Sequence, residues 1–238
     1  FRTRLSENLF KGLSPWMQKL PGGLIHVNVV GCALFAAISG SSAATVATVG
    51  KMSIPELRKR NYPEKILLGS LAGSGTLGLL IPPSIILIIY GVAVQESIAK
   101  LFIAGIIPGI MIALIFMSYV IVWSLINKKD MPKILEEYSF FEKVKRSKQL
   151  LPVIILISAV IGSIYTGIAT ATEAASLGVI GALILSFFQR SLNLETFKSS
   201  LLGATKTSCM IAFILAGSTF LSLAMGFTGL PRNLAIWI

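Results

Sequence analysis

The residues best suited to chemistry are Ser39, Gly40, Ser41 and Ser42, in the middle of an otherwise apolar run from Leu20 to Gly50. Glycine and serine allow a helix to unwind there, which exposes carbonyl oxygens beside the serine hydroxyls. Secondary transporters bind Na⁺ with unwound carbonyls of this kind, and a helix beginning near Ala43 would point N–H groups at an anion. The cluster therefore predicts an ion and substrate site, with Ser39, Ser41 and Ser42 as Na⁺ ligands. Close packing of small residues between membrane helices is the alternative.

A second cluster joins small residues to a double proline inside the charge-free run from Ile66 to Gln95. It formally matches G-x-G-x-x-G, but Pro82 and Pro83 would break the helix that must follow a dinucleotide site. We predict instead a membrane helix that is unwound from Gly73 to Pro83, with a simple kink as the alternative. The candidate binding residues of this cluster are Gly73, Ser74, Gly75, Thr76, Pro82, Pro83 and Ser84.

Three single polar residues have alternative interpretations. Glu173 lies three positions after Thr170, which favours a helix-capping box over a proton-relay or cation-ligand role. His26 is interpreted as a hydrogen-bonded structural histidine rather than a cavity residue, and Asn28 as a hydrogen-bonding residue between helices. The sequence contains no metal-ligand cluster, Walker motif or nucleophile with a plausible histidine partner. We therefore expect neither an enzyme nor a bound cofactor, apart from Na⁺ at the serine cluster.

The elements that position these residues follow from composition. Of 238 residues, 54% are hydrophobic and 13% are charged, about half the charged share of a soluble domain. This argues against a soluble enzyme, a disordered chain and a nucleic-acid-binding protein. The net charge of +11 fits a membrane protein whose Lys and Arg residues lie in cytoplasmic loops. We therefore predict an all-α polytopic protein that contacts the lipid bilayer and no nucleic acid.

Basic residues concentrate in three stretches, at 51–65, 128–148 and 190–206, which the positive-inside rule places in the cytoplasm. Alternating crossings are then predicted at 66–95, 101–127, 150–168, 170–189 and 207–231.

The first apolar run, at 20–50, has basic residues at both ends and so should begin and end on one side of the membrane. It predicts a re-entrant hairpin at 25–50, with one long tilted span as the alternative. The preceding residues 1–19 predict an amphipathic helix in the membrane interface, with the frayed end of a truncated helix as the alternative. Its apolar positions are Phe1, Leu5, Leu9, Leu13 and Trp16.

Four segments resemble the large membrane subunit of tripartite ATP-independent periplasmic (TRAP) transporters, in order and in spacing. They are Leu20–Val30, Ile38–Ala44, Gly75–Ser84 and Gly167–Ala175, and one departure is Ala171, where many relatives carry proline. The resemblance implies a multi-pass permease of the bacterial inner membrane. It also implies a small membrane subunit and a periplasmic substrate-binding protein as partners, an organic anion as substrate, and sodium-driven uptake. The implied fold is an inverted-repeat elevator-type transporter with a re-entrant helical hairpin and broken helices.

This resemblance assigns the chain as an internal fragment of such a permease. Residues 1–19 form the interfacial arm, and residues 20–127 the transport part of the first repeat, with the hairpin at 25–50 and the broken helix at 66–95. Residues 128–148 form a basic cytoplasmic loop, and residues 149–238 the scaffold helices of the second repeat and the start of the second arm. The second hairpin and second broken helix are expected beyond the chain. Substrates such as C4-dicarboxylates or sialic acid fit, and the alternatives are a stand-alone Na⁺-coupled dicarboxylate symporter and a non-transporting scaffold subunit.

Overall fold

The computed structural model describes residues 5–132, 138–188 and 191–237, and these residues contain helices and no β-strand. Three of the helices, Ile98–Ile126, Ala171–Phe188 and Leu194–Thr228, are long and apolar enough to cross a membrane. The prediction of an all-α polytopic membrane protein is therefore confirmed. The helices are α1 Leu5–Met17, α2 Ile25–Ser39, α3 Ser42–Lys59, α4 Glu64–Gly75, α5 Ile85–Val94, α6 Ile98–Ile126, α7 Phe140–Ser147, α8 Leu151–Tyr165, α9 Ala171–Phe188, α10 Leu194–Thr228 and α11 Leu230–Trp237.

The chain divides into two compact units between residues 190 and 191. The first unit has a hydrophobic core that α1 to α4 share. Leu9, Phe10 and Leu13 contribute the inner face of α1, and Trp16 is 40% exposed. Phe1 and the side chain of Leu5 lie outside the described residues. The amphipathic pattern thus forms a helix with its apolar face buried against protein, and its place in the membrane interface stays a prediction.

Helices α2 and α3 form an antiparallel pair, joined only by Gly40 and Ser41. The antiparallel register is visible near the middle of the pair, where a Cβ placed on Gly31 would lie 3.6 Å from Cγ1 of Val49. With 15 residues, α2 is about 22 Å long, which is shorter than the ≈30 Å hydrocarbon core. This length suits a hairpin better than a crossing, and the re-entrant placement in the bilayer stays a prediction. Residues 39–42 are called the hairpin tip below.

The next membrane segment is interrupted between α4 and α5. A 3-10 turn, Thr76–Leu79, follows α4, and residues 80–84, called the break below, form no helix. The helices on either side are about 18 and 15 Å long, so each is about half a membrane thickness.

The break begins later than the predicted start at Gly73, because backbone hydrogen bonding persists to Ile81, whose N–H donates to the carbonyl of Leu77 at 2.9 Å. It fails only where Pro82 and Pro83 have no N–H to donate.

Two boundaries differ from the prediction because charged residues were interpreted as loop. The basic stretch 128–148 contains α7, which follows a capping box made by Ser139 and Glu142, while residues 133–137 lie outside the described residues. In the second unit, α10 begins at Leu194 rather than near residue 207 and includes Lys198 and Lys206. Its 35 residues span about 52 Å, so charged turns can extend beyond the ≈30 Å apolar layer without ending the helix.

Candidate functional site

The hairpin tip changes direction at Gly40, whose φ of +58° is in the left-handed region that glycine tolerates. Ser41 is extended and caps α3, because its hydroxyl accepts a hydrogen bond from the N–H of Ala44 at 3.4 Å. The hydroxyl of Ser39 lies 2.9 Å from that of Thr45 and also contacts the backbone of Ser41. The first two serines therefore shape the turn with their own hydroxyls.

Ser42 differs from the other serines of the tip. Its hydroxyl oxygen is buried and has no hydrogen-bond partner among the described residues. A buried hydroxyl without a partner is destabilising, and native proteins usually satisfy it with protein, water or an ion. This oxygen is therefore the side-chain group at the tip that is most suited to bind a ligand.

The hairpin tip and the break are in direct contact. The N–H of Ile85, at the start of α5, donates to the carbonyl of Gly40 at 3.1 Å. A Cβ on Gly40 would lie 2.6 Å from the carbonyl oxygen of Pro83, and one on Gly78 would lie 2.8 Å from the backbone nitrogen of Ser42. Glycine is needed at both positions because backbone approaches backbone there. The two predicted clusters thus meet through main-chain atoms.

The break also presents unpaired carbonyl oxygens. Within the described ranges, no N–H donates to the carbonyls of the four residues 80–83. The hydroxyl of Ser84 has its own partner, since it donates to the carbonyl of Leu79 at 2.6 Å. The Leu80 carbonyl lies beside α6, where a Cβ on Gly105 would approach it to 2.8 Å. Unpaired main-chain oxygens therefore line the break, with the oxygen of Pro83 directed at the hairpin tip and that of Leu80 at α6.

Four predicted site residues lie one or more turns before the break instead. Ser74 is fully buried against α2 and donates to the carbonyls of Ser70, at 2.6 Å, and Asn28, at 3.4 Å. Gly73 faces Phe116 of α6, and Gly75 packs on Val46 of α3. Thr76 is exposed and donates to the carbonyl of Gly73. The structure therefore brings the hairpin tip together with Pro83 and the backbone that joins it through Ser84 to Ile85, whereas Pro82 lies beside Gly105 of α6 and Gly73–Gly75 make packing contacts.

Two residues of the contact were not among the predicted site residues. Thr45 bonds Ser39 across the first turn of α3, and Gly78 is the glycine closest to the tip. The signal for Thr45 was its position one turn after the N-cap Ser41. Gly78 was visible in the glycine pattern, but that pattern does not tell which glycine faces the hairpin.

The remaining polar residues have structural partners. Atom Nε2 of His26 lies 2.8 Å from the carbonyl of Pro21, and Nδ2 of Asn28 donates to Leu67 and Ser70 on α4. Glu173 accepts from the N–H of Thr170 at 2.8 Å, while its own N–H donates to the Thr170 hydroxyl at 3.4 Å. The capping box and the interhelical role of Asn28 are therefore confirmed.

At the other end of the hairpin, an exposed ion pair connects α3 to α4. Atom Nε of Arg58 donates to Oε1 of Glu64 at 2.6 Å, and the second guanidinium nitrogen donates to Oε2 at 3.1 Å. These hydrogen bonds, together with the positive charge, hold the pKa of Glu64 below its usual value. The pair joins the ends of the two helices on the side predicted to be cytoplasmic.

Chemically, the contact between tip and break offers oxygen atoms without formal charge. No group of His, Cys, Asp or Glu side chains is arranged for a metal ion in the part of the chain that the structure describes. A cation bound at the tip would therefore keep its full charge and attract an anion bound beside it. Helices α3 and α5 both begin at this contact, and their N-terminal dipoles also favour an anion.

Comparison with known proteins agrees with this architecture. Residues 2–238 match the family described as "Tripartite ATP-independent periplasmic transporter, DctM component". The chain is 35% identical to the C4-dicarboxylate TRAP transporter large permease protein DctM of Pseudomonas aeruginosa, over 91% of this chain and 50% of that protein. It is 33% identical to the sialic acid TRAP transporter large permease protein SiaM of Vibrio cholerae, over 97% and 54%.

A third relative, the ectoine/5-hydroxyectoine TRAP transporter large permease protein UehC of Ruegeria pomeroyi, is 35% identical over 98% of this chain and 54% of its own length. The chain thus spans about half the length of these curated relatives. The match over almost the whole chain shows that it belongs to the DctM family of TRAP transporters, as a multi-pass protein of the inner membrane and a transport component rather than an enzyme.

Proposed function

We propose that the chain forms part of the large permease subunit of a Na⁺-driven importer that receives organic anions from a periplasmic binding protein. The observation that supports this most is the contact between the hairpin tip and the break. There, the Ser42 hydroxyl is buried without a partner among the described residues, and the carbonyl oxygen of Pro83, which accepts no hydrogen bond, faces Gly40 of the tip. Such a set of neutral oxygens suits Na⁺, which replaces its water ligands with carbonyl and hydroxyl oxygens.

The substrate that we propose is a small carboxylate. Two helix N-termini meet at the contact, and the positive charge of bound Na⁺ adds to their dipoles. An anion and Na⁺ would then stabilise each other in the same site, which is the coupling that symport requires. The relatives named for C4-dicarboxylates and for sialic acid are consistent with this class of substrate.

We further propose a small membrane subunit and a periplasmic substrate-binding protein as partners, as the family description implies. In the proposed elevator movement, the hairpin α2–α3 and the interrupted helix α4–α5 travel as one body. Their main-chain contact at Gly40 and Ile85 supports this, as does the buried network that joins Asn28 of α2 to Leu67 and Ser70 of α4.

The test compares two serine-to-alanine substitutions in the same helix. Ser42→Ala removes the proposed ligand. Ser53→Ala removes a hydroxyl that is also buried and has no partner among the described residues, about 16 Å further along α3. Uptake is measured with the complete transporter and its binding protein in proteoliposomes, as a function of external Na⁺. Loss of one oxygen ligand, at about 1 kcal/mol, should raise the half-saturating Na⁺ concentration about fivefold in Ser42→Ala only.

The same preparation separates the proposal from its rivals. Uptake that persists without the binding protein indicates a stand-alone symporter. Absence of uptake for every candidate anion, in a transporter that is folded and assembled, indicates a scaffold subunit. An identical Na⁺ activation curve for Ser42→Ala and the wild type removes this hydroxyl from the ion site.

A further inference from the structure

A groove far from the hairpin tip has the composition of a lipid-binding site. It has a volume of about 590 Å³, within the range of about 300–1,000 Å³ that is common for small-ligand pockets. Its walls come from three segments that are distant in sequence: the arm helix α1, the end of α3 and the region around α7. The charged residues that line it are Lys11, Lys51, Arg60 and Arg146, with Glu56 as the acidic one.

The groove is strongly cationic for its size. Among its described lining residues, four are basic and one is acidic, and that acid, Glu56, lies 3.9 Å from Arg60. No acidic side chain lies within ion-pair distance of Lys51 in the part of the chain that the structure describes. Like charges brought together from three segments repel one another, and an anion bound between them relieves that repulsion.

The wall formed by α7 is held in place by contacts to α1. The indole N–H of Trp16 donates to the hydroxyl of Ser147 at 2.8 Å, and its ring meets that of Phe140 edge to face, with centroids 6.3 Å apart. The guanidinium of Arg146 lies 4.3 Å from the ring centroid of Tyr138, which orients this cation. The groove is therefore assembled by packing and does not depend on a bound anion for its shape.

Apolar side chains lie beside the charges. Phe10, Met52 and Pro55 line the same groove, and α1 is the helix whose amphipathic pattern predicts a position at the membrane interface. All four basic residues belong to segments that the positive-inside rule places on the cytoplasmic side, next to the leaflet that carries anionic lipids. A site for a free anion does not require this apolar lining. A phospholipid fits both features, because its headgroup matches the basic residues and its acyl chains match the apolar side chains.

We propose that this groove binds the headgroup of an anionic phospholipid from the cytoplasmic leaflet, with Lys51 and Arg146 as the principal contacts to its phosphate. The bound phospholipid would then link α1, α3 and α7.

The complete transporter, purified in detergent, is titrated with phosphatidylglycerol or phosphatidylcholine, and bound lipid is counted by native mass spectrometry. We expect saturable binding of phosphatidylglycerol and little binding of phosphatidylcholine. Each of the substitutions Lys51→Gln and Arg146→Gln should weaken binding of phosphatidylglycerol about fivefold, and the pair about thirtyfold. The matched control is Lys59→Gln with Lys65→Gln, which removes the same two charges from exposed residues at the end of α3 and the start of α4 that do not line the groove.

Lys51 and Arg146 are both exposed, so the unfolding temperature of the lipid-free protein should stay unchanged and confirm that the variants are folded. If Arg146→Gln loosens α7, Lys51→Gln alone carries the test. Equal weakening by the control pair would show a general surface-charge effect and overturn the proposal, as would unchanged binding in Lys51→Gln. Displacement of phosphatidylglycerol by inorganic phosphate at equal concentration would overturn it in favour of a free-anion site.

Discussion

The closest approach between the hairpin and the interrupted helix predicts a severe effect for a single methyl group at Gly78. A Cβ there would lie 2.8 Å from the carbonyl carbon of Ser41 and 2.8 Å from the nitrogen of Ser42, whereas ordinary contacts begin at 3.4 Å. Because both neighbours are main-chain atoms, no side chain can rotate away. The Gly78→Ala substitution must therefore move the 3-10 turn and the hairpin tip apart by about 0.6 Å, the difference between those two distances.

Overpacking of this kind typically costs about 1–3 kcal/mol. If about 2 kcal/mol of this cost weakens the binding of Na⁺ at the proposed site, the half-saturating Na⁺ concentration for uptake rises about thirtyfold. The assay is Na⁺-activated uptake by the complete transporter with its binding protein in proteoliposomes, corrected for the amount of folded protein. Gly69→Ala is the matched control, because it makes the same change in α4, where an added Cβ meets nothing within 4 Å.

The control should transport like the wild type and gain up to about 1 kcal/mol of stability, because alanine favours a helix more than glycine does. The reasoning is refuted if Gly78→Ala shows wild-type uptake and an unchanged Na⁺ curve. It is also refuted if Gly69→Ala is impaired as strongly, because the effect would then come from glycine loss anywhere in this segment.

Three further predictions concern packing and capping. Gly75→Ala should destabilise the protein by about 1–3 kcal/mol through a collision with Cγ2 of Val46, and Val46→Ala should rescue it because that methyl group is then absent. Thermal unfolding of the two single variants and the double variant tests this, and additive stability effects would contradict the contact. Glu173→Ala should lower the free energy of unfolding by about 1 kcal/mol, whereas Glu173→Gln should keep both stability and uptake because glutamine can also accept the cap hydrogen bond. Loss of uptake in the glutamine variant would support a proton relay instead. Asn28→Ala should lower the free energy of unfolding by about 1 kcal/mol without changing the Na⁺ activation of uptake. A shifted activation curve would show that the hydrogen bonds from Asn28 to α4 affect the ion site.

Part of this architecture could be predicted because it depends on local chemistry. Serine at position 41 caps a helix that begins at Ser42, next to the predicted start at Ala43, and the double proline ends helical bonding at Ile81. Apolar runs between basic stretches predicted the membrane helices. These signals are local, since they follow from N–H groups, helix caps and the cost of burying charge.

What could not be predicted depends on which neighbour a residue faces. Periodicity shows that Ser74 and Gly75 occupy different faces of α4, but not that one faces Asn28 of α2 and the other Val46 of α3. For the same reason, the sequence did not show that Gly78 lies beside the hairpin tip. Charge patterns failed for a different reason at α7 and at the start of α10, because a helix outside the hydrocarbon layer carries charged residues as easily as a loop does.

The contact between Gly40 and Ile85 also constrains how the protein can be made. Ile85 is synthesised forty-five residues after Gly40, so a growing chain carries the complete hairpin well before its partner exists. During that interval, the carbonyl of Gly40 lacks the hydrogen bond that it later accepts from the N–H of Ile85. An unsatisfied backbone group in hydrocarbon costs several kcal/mol. If the hairpin is re-entrant, as the sequence predicts, its stable burial in the bilayer must follow the insertion of α5, and a nascent chain ending before residue 85 would keep its serine turn in contact with water.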